Sequence, residues 1–409
     1  MKKLFGMYAG LRKEIYILCF GRFVTAMGSL IWPMLTLILK SKLGFDAEQV
    51  ALWFLLFGVI QIPFGLASGK LTDRFNKRNI IVFFDLISVG MYVITGLLPL
   101  STGSLVIYFV GSLFQHMEWP AYDAMIADLT TDDDRQKAYS LQYLASNLGV
   151  VFAPTLGGLL FNNYLWLSFL ICAGAVFSST ILIFLFIPKE MVKETTTNSY
   201  ETNEEGNLFD MLKRRKILLG FVVISCVSNM IYSQFNYLLP IQMDEVFSLD
   251  GAKFFGMMTS LNGAVVIIAT LILTQMTLKW SDLKRYNAGI IIIALSISSY
   301  YFYQNKLAVY FLAMVVFTIG EILHTLGTSP YISKRIPSSH RGRFVSINSI
   351  CHSVAATLGN TVVGKIVVLY TFREAWILVF GVSVVLFLGL GSFSKRDKKR
   401  FPLLYKTIG

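Results

Sequence analysis

The sequence predicts an all-α integral membrane protein whose twelve transmembrane helices form two pseudo-symmetric six-helix bundles. Of its 409 residues, 55% are hydrophobic and 15% are charged, and the mean hydropathy is +0.61. Charged residues make up about 25% of a typical soluble protein. Apolar runs of about 20 residues, the length that a helix needs to cross the hydrocarbon core, recur along the chain. They are continuously apolar and lack the alternation of barrel strands.

The apolar runs fall into two sets of six, separated by a polar stretch rich in Lys, Glu, Thr and Asn, which is typical of a flexible linker. We expect an N-terminal bundle (1–187), a cytoplasmic linker (188–216), a C-terminal bundle (217–394) and a cytoplasmic tail (395–409). The apolar run at the N-terminus is too long for a cleavable signal peptide. The predicted spans are 14–39, 47–70, 79–99, 104–126, 138–161, 164–187, 217–242, 253–276, 285–303, 307–331, 343–369 and 374–394.

The net charge of +12 reflects membrane topology, and it does not indicate a nucleic-acid partner. With the N-terminus inside, most Lys and Arg residues fall in cytoplasmic segments, which is the positive-inside pattern of multi-pass proteins. Basic clusters at 213–216 and 395–400 flank spans, where they contact anionic lipid headgroups. We therefore expect a cell-membrane protein with both termini in the cytoplasm and the lipid bilayer as its surroundings.

The sequence predicts no metal site, cofactor or catalytic centre. The four cysteines all lie inside predicted spans without a CxxC pair, so they are interpreted as small apolar residues. The four histidines are scattered, and no Gly-rich Lys-Ser/Thr loop that could bind ATP phosphates is present. No arrangement of a nucleophile and a base is visible, so an enzyme is not expected.

Several charged residues lie within the predicted spans. A carboxylate at the centre of a membrane helix costs about 3 kcal/mol or more, so Glu321 in span ten is a candidate functional residue. His324 is one turn further along the same face. Asp85 in span three and Arg22 in span one lie at comparable depth, where they can form an ion pair. The alternative is that Arg22 binds an anionic or carbonyl-bearing group of a substrate.

Span four contains further titratable residues. His116 and Asp123 are seven residues apart on one helical face, and Pro120 between them is expected to kink the helix. A histidine titrates near neutral pH, so both residues are candidates for binding a proton. Asp123 is near the cytoplasmic end of the span, and the alternative that it is simply hydrated stays open.

Polar residues form stripes at helical spacing in three spans. Within a bilayer such a face turns towards other helices or a water-filled cavity. For the hydroxyl groups, hydrogen bonding between helices is an equally good explanation. The stripes contain Arg22, Thr25, Ser29, Trp32, Pro33 and Thr36 in span one, Tyr139, Gln142, Tyr143 and Ser146 in span five, and Asn229, Tyr232, Ser233, Asn236 and Tyr237 in span seven.

The segment between spans two and three resembles the signature loop of the major facilitator superfamily: a glycine, three residues, Asp-Arg, one residue, a glycine and two basic residues. Asn76 replaces the second glycine, and asparagine is the next most tolerant of a left-handed backbone. The resemblance implies a lock that closes the cytoplasmic side, with Gly69 permitting close helix approach and the basic residues pairing with an acid such as Asp128. The matching residues are Gly69, Asp73, Arg74, Lys77 and Arg78.

Span five resembles the antiporter motif of the drug/proton antiporters of this superfamily, with Ala153 replacing the central glycine. Small residues permit tight helix packing, and Pro154 bends the helix. The matching residues are Gly149, Ala153, Pro154, Gly157 and Gly158.

Two further features compare this chain with those antiporters. The Gly320-Glu321-Ile322 string resembles their membrane-embedded glutamate, which takes part in substrate and proton binding. Their second acid is replaced here by Gln142. The arginine that marks span four in the family is absent, so either other groups conduct protons or protons are not involved.

The resemblance implies a secondary transporter in which spans one, four, seven and ten line a central cavity. We expect proton-coupled efflux of amphipathic or cationic compounds, as in multidrug transporters, by a functional monomer whose partners are a small-molecule substrate and protons. Two alternatives stay open. One is a proton-coupled importer of a nutrient such as a sugar or peptide, and the other is a membrane scaffold or receptor that transports nothing.

Overall fold

A computed structural model describes residues 9–130, 132–188, 212, 216–302, 306–336 and 338–406, and these ranges are almost entirely helical without a β-strand. Most of the predicted linker, including the basic residues 213–215, lies outside the described residues. The helices are α1 (Lys13–Gly28), α2 (Ile31–Leu37), α3 (Ala47–Arg74), α4 (Lys77–Leu97), α5 (Thr102–Met117), α6 (Trp119–Asp128), α7 (Asp132–Leu160), α8 (Leu165–Phe186), α9 (Lys216–Ser233), α10 (Leu238–Phe247), α11 (Gly251–Met276), α12 (Asp282–Phe302), α13 (Leu307–Arg335), α14 (Ser338–Leu369), α15 (Phe372–Arg400) and α16 (Leu403–Lys406).

Within the described ranges, nine helical segments are long and apolar enough to cross a membrane. They coincide with most of the predicted spans. The nine segments differ from the predicted spans in three places. Predicted span four is divided between α5 and α6, and predicted spans seven and eight fall within one segment (Lys216–Met276) that contains α9, α10 and α11. Helix α12 is not among the nine. The count of twelve stays a prediction.

Prolines explain three interruptions of predicted spans. A proline lacks an N–H group, and its ring collides with the carbonyl four residues earlier. The helix breaks before Pro33 between α1 and α2, before Pro120 between α5 and α6, and before Pro240 between α9 and α10. At Pro120 the interruption is local: Glu118 between α5 and α6 keeps a helical backbone (φ −73°, ψ −26°), and its N–H bonds to the Gln115 carbonyl.

The chain forms two compact units. Unit 1 contains Met1–Gly44, Leu56–Thr197 and Phe247–Ala264, and unit 2 contains Phe45–Leu55, Asn198–Val246 and Val265–Gly409. Each unit thus includes most of one half of the sequence together with a short segment from the other half.

In unit 1, α1 packs against α7 and α8, and α4 packs against α5 and α8. The apolar core between these helices includes Ile15, Leu18, Ile81 and Met125, each of which is 0% exposed. This core holds the polar side chains of α1, α4 and α6 at fixed positions relative to one another.

In unit 2, α12 packs along α13, while α9 contacts α14 and α15. The α12–α13 contact depends on two glycines, because a Cβ atom at Gly320 would lie 2.8 Å from the carbonyl oxygen of Gly289. Small residues at such a crossing allow membrane helices to approach closely. Glu321 follows directly in this tightly packed region.

Candidate functional site

The signature-like segment differs from the loop that its sequence predicts. Gly69, Lys70 and Arg74 belong to the end of α3, and α4 begins at Lys77, so only Phe75 and Asn76 connect the helices. Asn76 has φ −64° and ψ 122°, and its side chain accepts a hydrogen bond from the backbone N–H of Asn79. The expectation of a left-handed backbone was wrong, because Asn76 is the N-cap of α4.

The basic residues of this segment have partners within unit 1. The Lys77 ammonium forms an ion pair with Asp128, as predicted, and Arg78 donates to the carbonyl of Phe184 and lies 4.8 Å from the centre of its ring. A Cβ atom at Gly69 would meet no heavy atom within 4 Å among the described residues, so the close approach expected there is absent from this conformation. The side chain of Asp73 lies outside the described part of the structure.

The antiporter-like motif on α7 contacts neighbouring backbone on two sides. A Cβ atom at Gly149 would lie 2.6 Å from the carbonyl oxygen of Phe23, and one at Gly157 would lie 2.7 Å from the carbonyl oxygen of Leu30, so these glycines face α1 and the break that follows it. Gly158 similarly faces the carbonyl of Ala252 at the start of α11. The small residues therefore permit close packing, as the sequence predicts.

Two further members of the motif lie inside α7. Ala153 is 1% exposed, and Pro154 is buried within the helix without ending it. The adjacent Thr155 hydroxyl donates to Ser260 Oγ at 2.7 Å, which adds a polar link to α11 within unit 1.

Arg22 forms a buried ion pair with Glu118, at the break between α5 and α6. The Arg22 Nη1–Glu118 Oε1 distance is 3.0 Å, and the two side chains are 11% and 4% exposed. The guanidinium carbon lies 4.2 Å from the ring centre of Tyr122 and 5.2 Å from that of Trp119. The sequence predicted Asp85 as a possible partner, but Glu118 is the direct one.

Asp85 completes the charged cluster from α4 and is 2% exposed. Its Oδ2 atom accepts a hydrogen bond from the Thr180 hydroxyl at 2.7 Å. No described donor reaches its buried Oδ1 atom, and the Asp85 and Glu118 carboxyl groups lie within reach of each other. We call Arg22, Asp85, Glu118 and Thr180 the buried charge cluster.

A cavity of about 470 Å³ lies beside this cluster, entirely within unit 1. Arg22 is part of its wall, so the cavity meets the cluster at the guanidinium group. Aromatic rings supply much of the remaining surface, which suits flat or lipophilic ligands. The wall includes Arg22, Thr25, Ser29, Trp32, Tyr92, Tyr108, Gln115, His116, Trp119, Asp123, Gln142 and Ser146.

Three residues predicted from spans four and five meet at this cavity. His116 donates from Nδ1 to the Ser112 carbonyl oxygen at 2.7 Å and stacks on the Trp119 ring. The exposed Asp123 carboxylate accepts a hydrogen bond of 3.3 Å from the Gln142 amide. Asp123 is therefore solvent-exposed and part of the cavity wall at the same time.

Glu321 lies in unit 2 and is half-buried. Its Oε1 atom accepts a hydrogen bond of 2.7 Å from the Tyr232 hydroxyl on α9, and the Tyr232 ring stacks on Phe317. One turn further along α13, His324 approaches Ser228, which is also on α9, at 3.5 Å and contacts the ring of Tyr286. The predicted acid and histidine therefore face α9 together.

The stripe predicted for span seven does not form one cavity face. Because α9 ends at Ser233, Asn236 and Tyr237 follow in a turn. Asn229 donates to the carbonyl of His352 on α14 at 3.0 Å, and the Tyr237 hydroxyl donates to the carbonyl of Ala47. Tyr237 is only 1% exposed. Its assignment to a substrate cavity was wrong, since its hydroxyl satisfies a buried backbone group.

Unit 2 contains a second ionic cluster that the sequence interpretation missed. Asp397 on α15 is fully buried and accepts two hydrogen bonds from Arg335, of 3.1 and 2.7 Å. The hydroxyls of Tyr331 and Tyr405 donate to the same carboxylate at 2.9 and 2.6 Å. Burial raises the pKa of the Tyr405 phenol, so this group remains protonated and acts as a donor. The cluster ties α13, α15 and α16 together.

Glu118 is the other residue that was missed as a candidate. It lies inside predicted span 104–126, so the argument from membrane depth that identified Glu321 applied equally to it. The signal was a second acid inside a predicted span, two residues before the proline expected to kink it.

Comparisons with known proteins agree with this architecture. The Major Facilitator Superfamily family model matches residues 18–360. The chain is 22% identical over 354 residues to a "Na(+), Li(+), K(+)/H(+) antiporter" of Planococcus maritimus, covering 80% of this chain and 82% of that protein. It is 22% identical over 383 residues to "Multidrug resistance protein 1" of Bacillus subtilis (strain 168), with 90% and 95% covered.

A solved structure shows the same fold. The chain resembles the peptide transporter POT crystallised with sulfate, with a TM-score of 0.78, 16% identity and 95% of each chain covered. This likeness concerns the fold alone, whereas the family match covers most of the sequence. The chain therefore belongs to the Major Facilitator Superfamily, and it is a multi-pass membrane transporter rather than an enzyme.

Proposed function

We propose that this transporter exchanges protons for amphipathic or cationic compounds and thereby exports them from the cell. The observation that carries the proposal is the buried charge cluster beside an aromatic cavity in unit 1. Ionisable groups buried within membrane helices are costly to maintain and mark ion or substrate pathways. The names of two relatives, a cation/proton antiporter and a multidrug resistance protein, support the same class of activity.

The cavity wall favours a lipophilic cation. Trp32 and Trp119 present aromatic surface, and cations bind to such ring faces. Asp123 adds a carboxylate, which accepts a hydrogen bond of 3.3 Å from the Gln142 amide. An anionic substrate is less favoured because the Arg22 guanidinium already contacts Glu118. In unit 2, Glu321 with its Tyr232 donor supplies a second acid for the substrate or the proton.

Proton exchange can supply the energy for export. A charge moving down the membrane potential releases about 2.3 kcal/mol per 100 mV. The cycle alternates between inward-open and outward-open states in a functional monomer at the cell membrane, with both termini in the cytoplasm. In this scheme the signature-like segment, through Lys77 and Asp128, stabilises the state closed to the cytoplasm.

Everted membrane vesicles containing the protein test the proposal. Respiration acidifies their interior, and a pH-sensitive dye reports the gradient. Addition of tetraphenylphosphonium should dissipate part of the gradient as protons leave in exchange, and vesicles without the protein provide the control. No response to tetraphenylphosphonium, Na⁺ or K⁺ would contradict antiport.

Intact cells distinguish the alternative of nutrient import. The peptide transporters that share the fold make peptides the natural comparison. Uptake of a dipeptide or sugar into intact cells, driven by an inward proton gradient, would favour an importer. The absence of any substrate-dependent proton movement with all of these compounds would favour a scaffold or receptor.

A further inference from the structure

We infer that Asp85 and Glu118 share a single proton, held on Asp85, and that this carboxyl pair is a proton-exchanging group of the transporter. The inference rests on the proposed function for its role in transport, although the sharing of the proton can be tested without a substrate. The argument uses the four members of the buried charge cluster and their hydrogen bonds.

The hydrogen bonds assign the proton to one oxygen atom. Glu118 accepts from the positively charged Arg22, so it is the ionised member of the pair. Asp85 Oδ2 accepts from the Thr180 hydroxyl, which also lies 2.8 Å from the Val176 carbonyl oxygen, and Oδ1 is the carboxyl oxygen without a described partner. Oδ1 is buried and no described donor reaches it. A proton on Oδ1 satisfies it, because the hydroxyl then donates to Glu118.

The charge balance supports the same assignment. Arg22 supplies one positive charge and Glu118 one negative charge, so a protonated Asp85 makes the group neutral. If Asp85 were ionised, two carboxylates in contact would face a single guanidinium, and like charges at this distance do not both remain ionised. Of the other titratable groups near Asp85 and Arg22, Tyr92, Tyr122 and Asp123 carry no positive charge. His116, whose Nδ1 bonds to the Ser112 carbonyl, adds no cation in its neutral form.

The position of Arg22 links this proton to the cavity. Arg22 is part of the cavity wall, while both carboxyl groups lie behind it. A cation in the cavity adds positive charge beside the pair, which favours the ionised form of Asp85 and release of its proton. Return of a proton to Asp85 removes a negative charge and weakens binding of the cation. Proton and cation therefore compete without sharing a ligand atom.

Infrared spectroscopy of the purified protein tests the shared proton directly. At neutral pH, the wild type should still show the C=O stretching band of a protonated, buried carboxyl group. The band should disappear in Asp85→Asn and persist in Glu321→Gln. A wild type without such a band, or a band unchanged in Asp85→Asn, would overturn the inference.

A second variant covers the case in which Asp85→Asn fails to fold. Thr180→Val removes the hydrogen bond to the Asp85 carbonyl oxygen, so the C=O band should shift to higher frequency. Ser178→Ala is the matched control, because the Ser178 hydroxyl is exposed and donates to the carbonyl of Gly174 within the same helix. Equal band positions in both variants would contradict the assignment.

Transport measurements then separate this inference from the proposed function. In proteoliposomes, Asp85→Asn should retain exchange of labelled for unlabelled tetraphenylphosphonium and lose accumulation driven by a pH gradient. If the wild type neither exchanges nor accumulates the cation, the proposed function fails while the infrared result stands. If Asp85→Asn still accumulates it as the wild type does, the inference fails and antiport stands.

Discussion

Replacing Asp397 with Asn is expected to destabilise unit 2 strongly. The substitution keeps the size of the side chain but leaves Arg335, whose side chain is 2% exposed, with only the longer 3.8 Å contact to Asp282 as a counter-charge. Removing one partner of a buried ion pair costs about 3–5 kcal/mol. A loss of 1 kcal/mol lowers the melting temperature of a unit of 150–250 residues by about 2–4 °C, so we expect a decrease of about 6–20 °C.

Thermal unfolding of the purified protein in detergent measures this effect. Lys334→Met is the matched control, because the Lys334–Asp282 pair is 3.0 Å long but the lysine side chain is 47% exposed. Exposed pairs contribute about 0–1 kcal/mol. The double variant Arg335→Met/Asp397→Leu should recover part of the loss, since it leaves no buried charge unpaired. A melting temperature of Asp397→Asn equal to that of Lys334→Met would refute the reasoning.

Four further predictions concern transport and packing. Gly149→Ala places a Cβ atom 2.6 Å from the Phe23 carbonyl oxygen and should lower the free energy of unfolding by about 1–3 kcal/mol. Gly174→Ala is the control and should not destabilise the protein, because its Cβ atom would meet no atom within 4 Å among the described residues. Equal losses of stability in the two variants would contradict the packing argument. Trp32→Cys should react with a water-soluble thiol reagent and be protected by substrate, while Ile31→Cys should be inert, because the native side chains are 46% and 0% exposed; the reverse order would exclude Trp32 from the cavity. Asp73→Asn should slow the transport cycle and shift the inward/outward balance measured by distances between labels on the two halves; an unchanged balance with normal transport would remove the lock hypothesis. Glu321→Gln should retain its fold and downhill exchange but lose proton-driven accumulation, and uphill transport at the wild-type rate would show that the acid is dispensable.

The sequence predicts the helices well because their signal is local. Continuous apolar runs of membrane length placed the helices, and Pro120 marked the interruption before α6. The interruptions before α2 and α10 were not predicted. Local rules also predicted the tight packing of the motif around Gly149 and Gly158. Asn76 was misread because a left-handed turn and an N-cap both favour asparagine.

The partners of charged residues could not be predicted in the same way. Arg22 and Glu118 are 96 residues apart in sequence, and Asp85 lies at similar membrane depth, so sequence alone offered two acids for one arginine. The structure decides between them, with Arg22 Nη1 3.0 Å from Glu118 Oε1. Asp397 was assigned to a hydrated tail because its neighbours are basic, whereas α15 continues to Arg400 and buries it against Arg335.

The central claim is that proton binding in unit 1 drives movement of a cation, and uphill uptake into proteoliposomes tests it most directly. With an acidic interior and no membrane potential, the wild type should concentrate tetraphenylphosphonium inside while protons leave, both recorded on the same sample. Asp85→Asn should only equilibrate the cation across the membrane, with no accompanying proton flux. Accumulation by the wild type without proton movement, or equal accumulation by Asp85→Asn, would contradict the account.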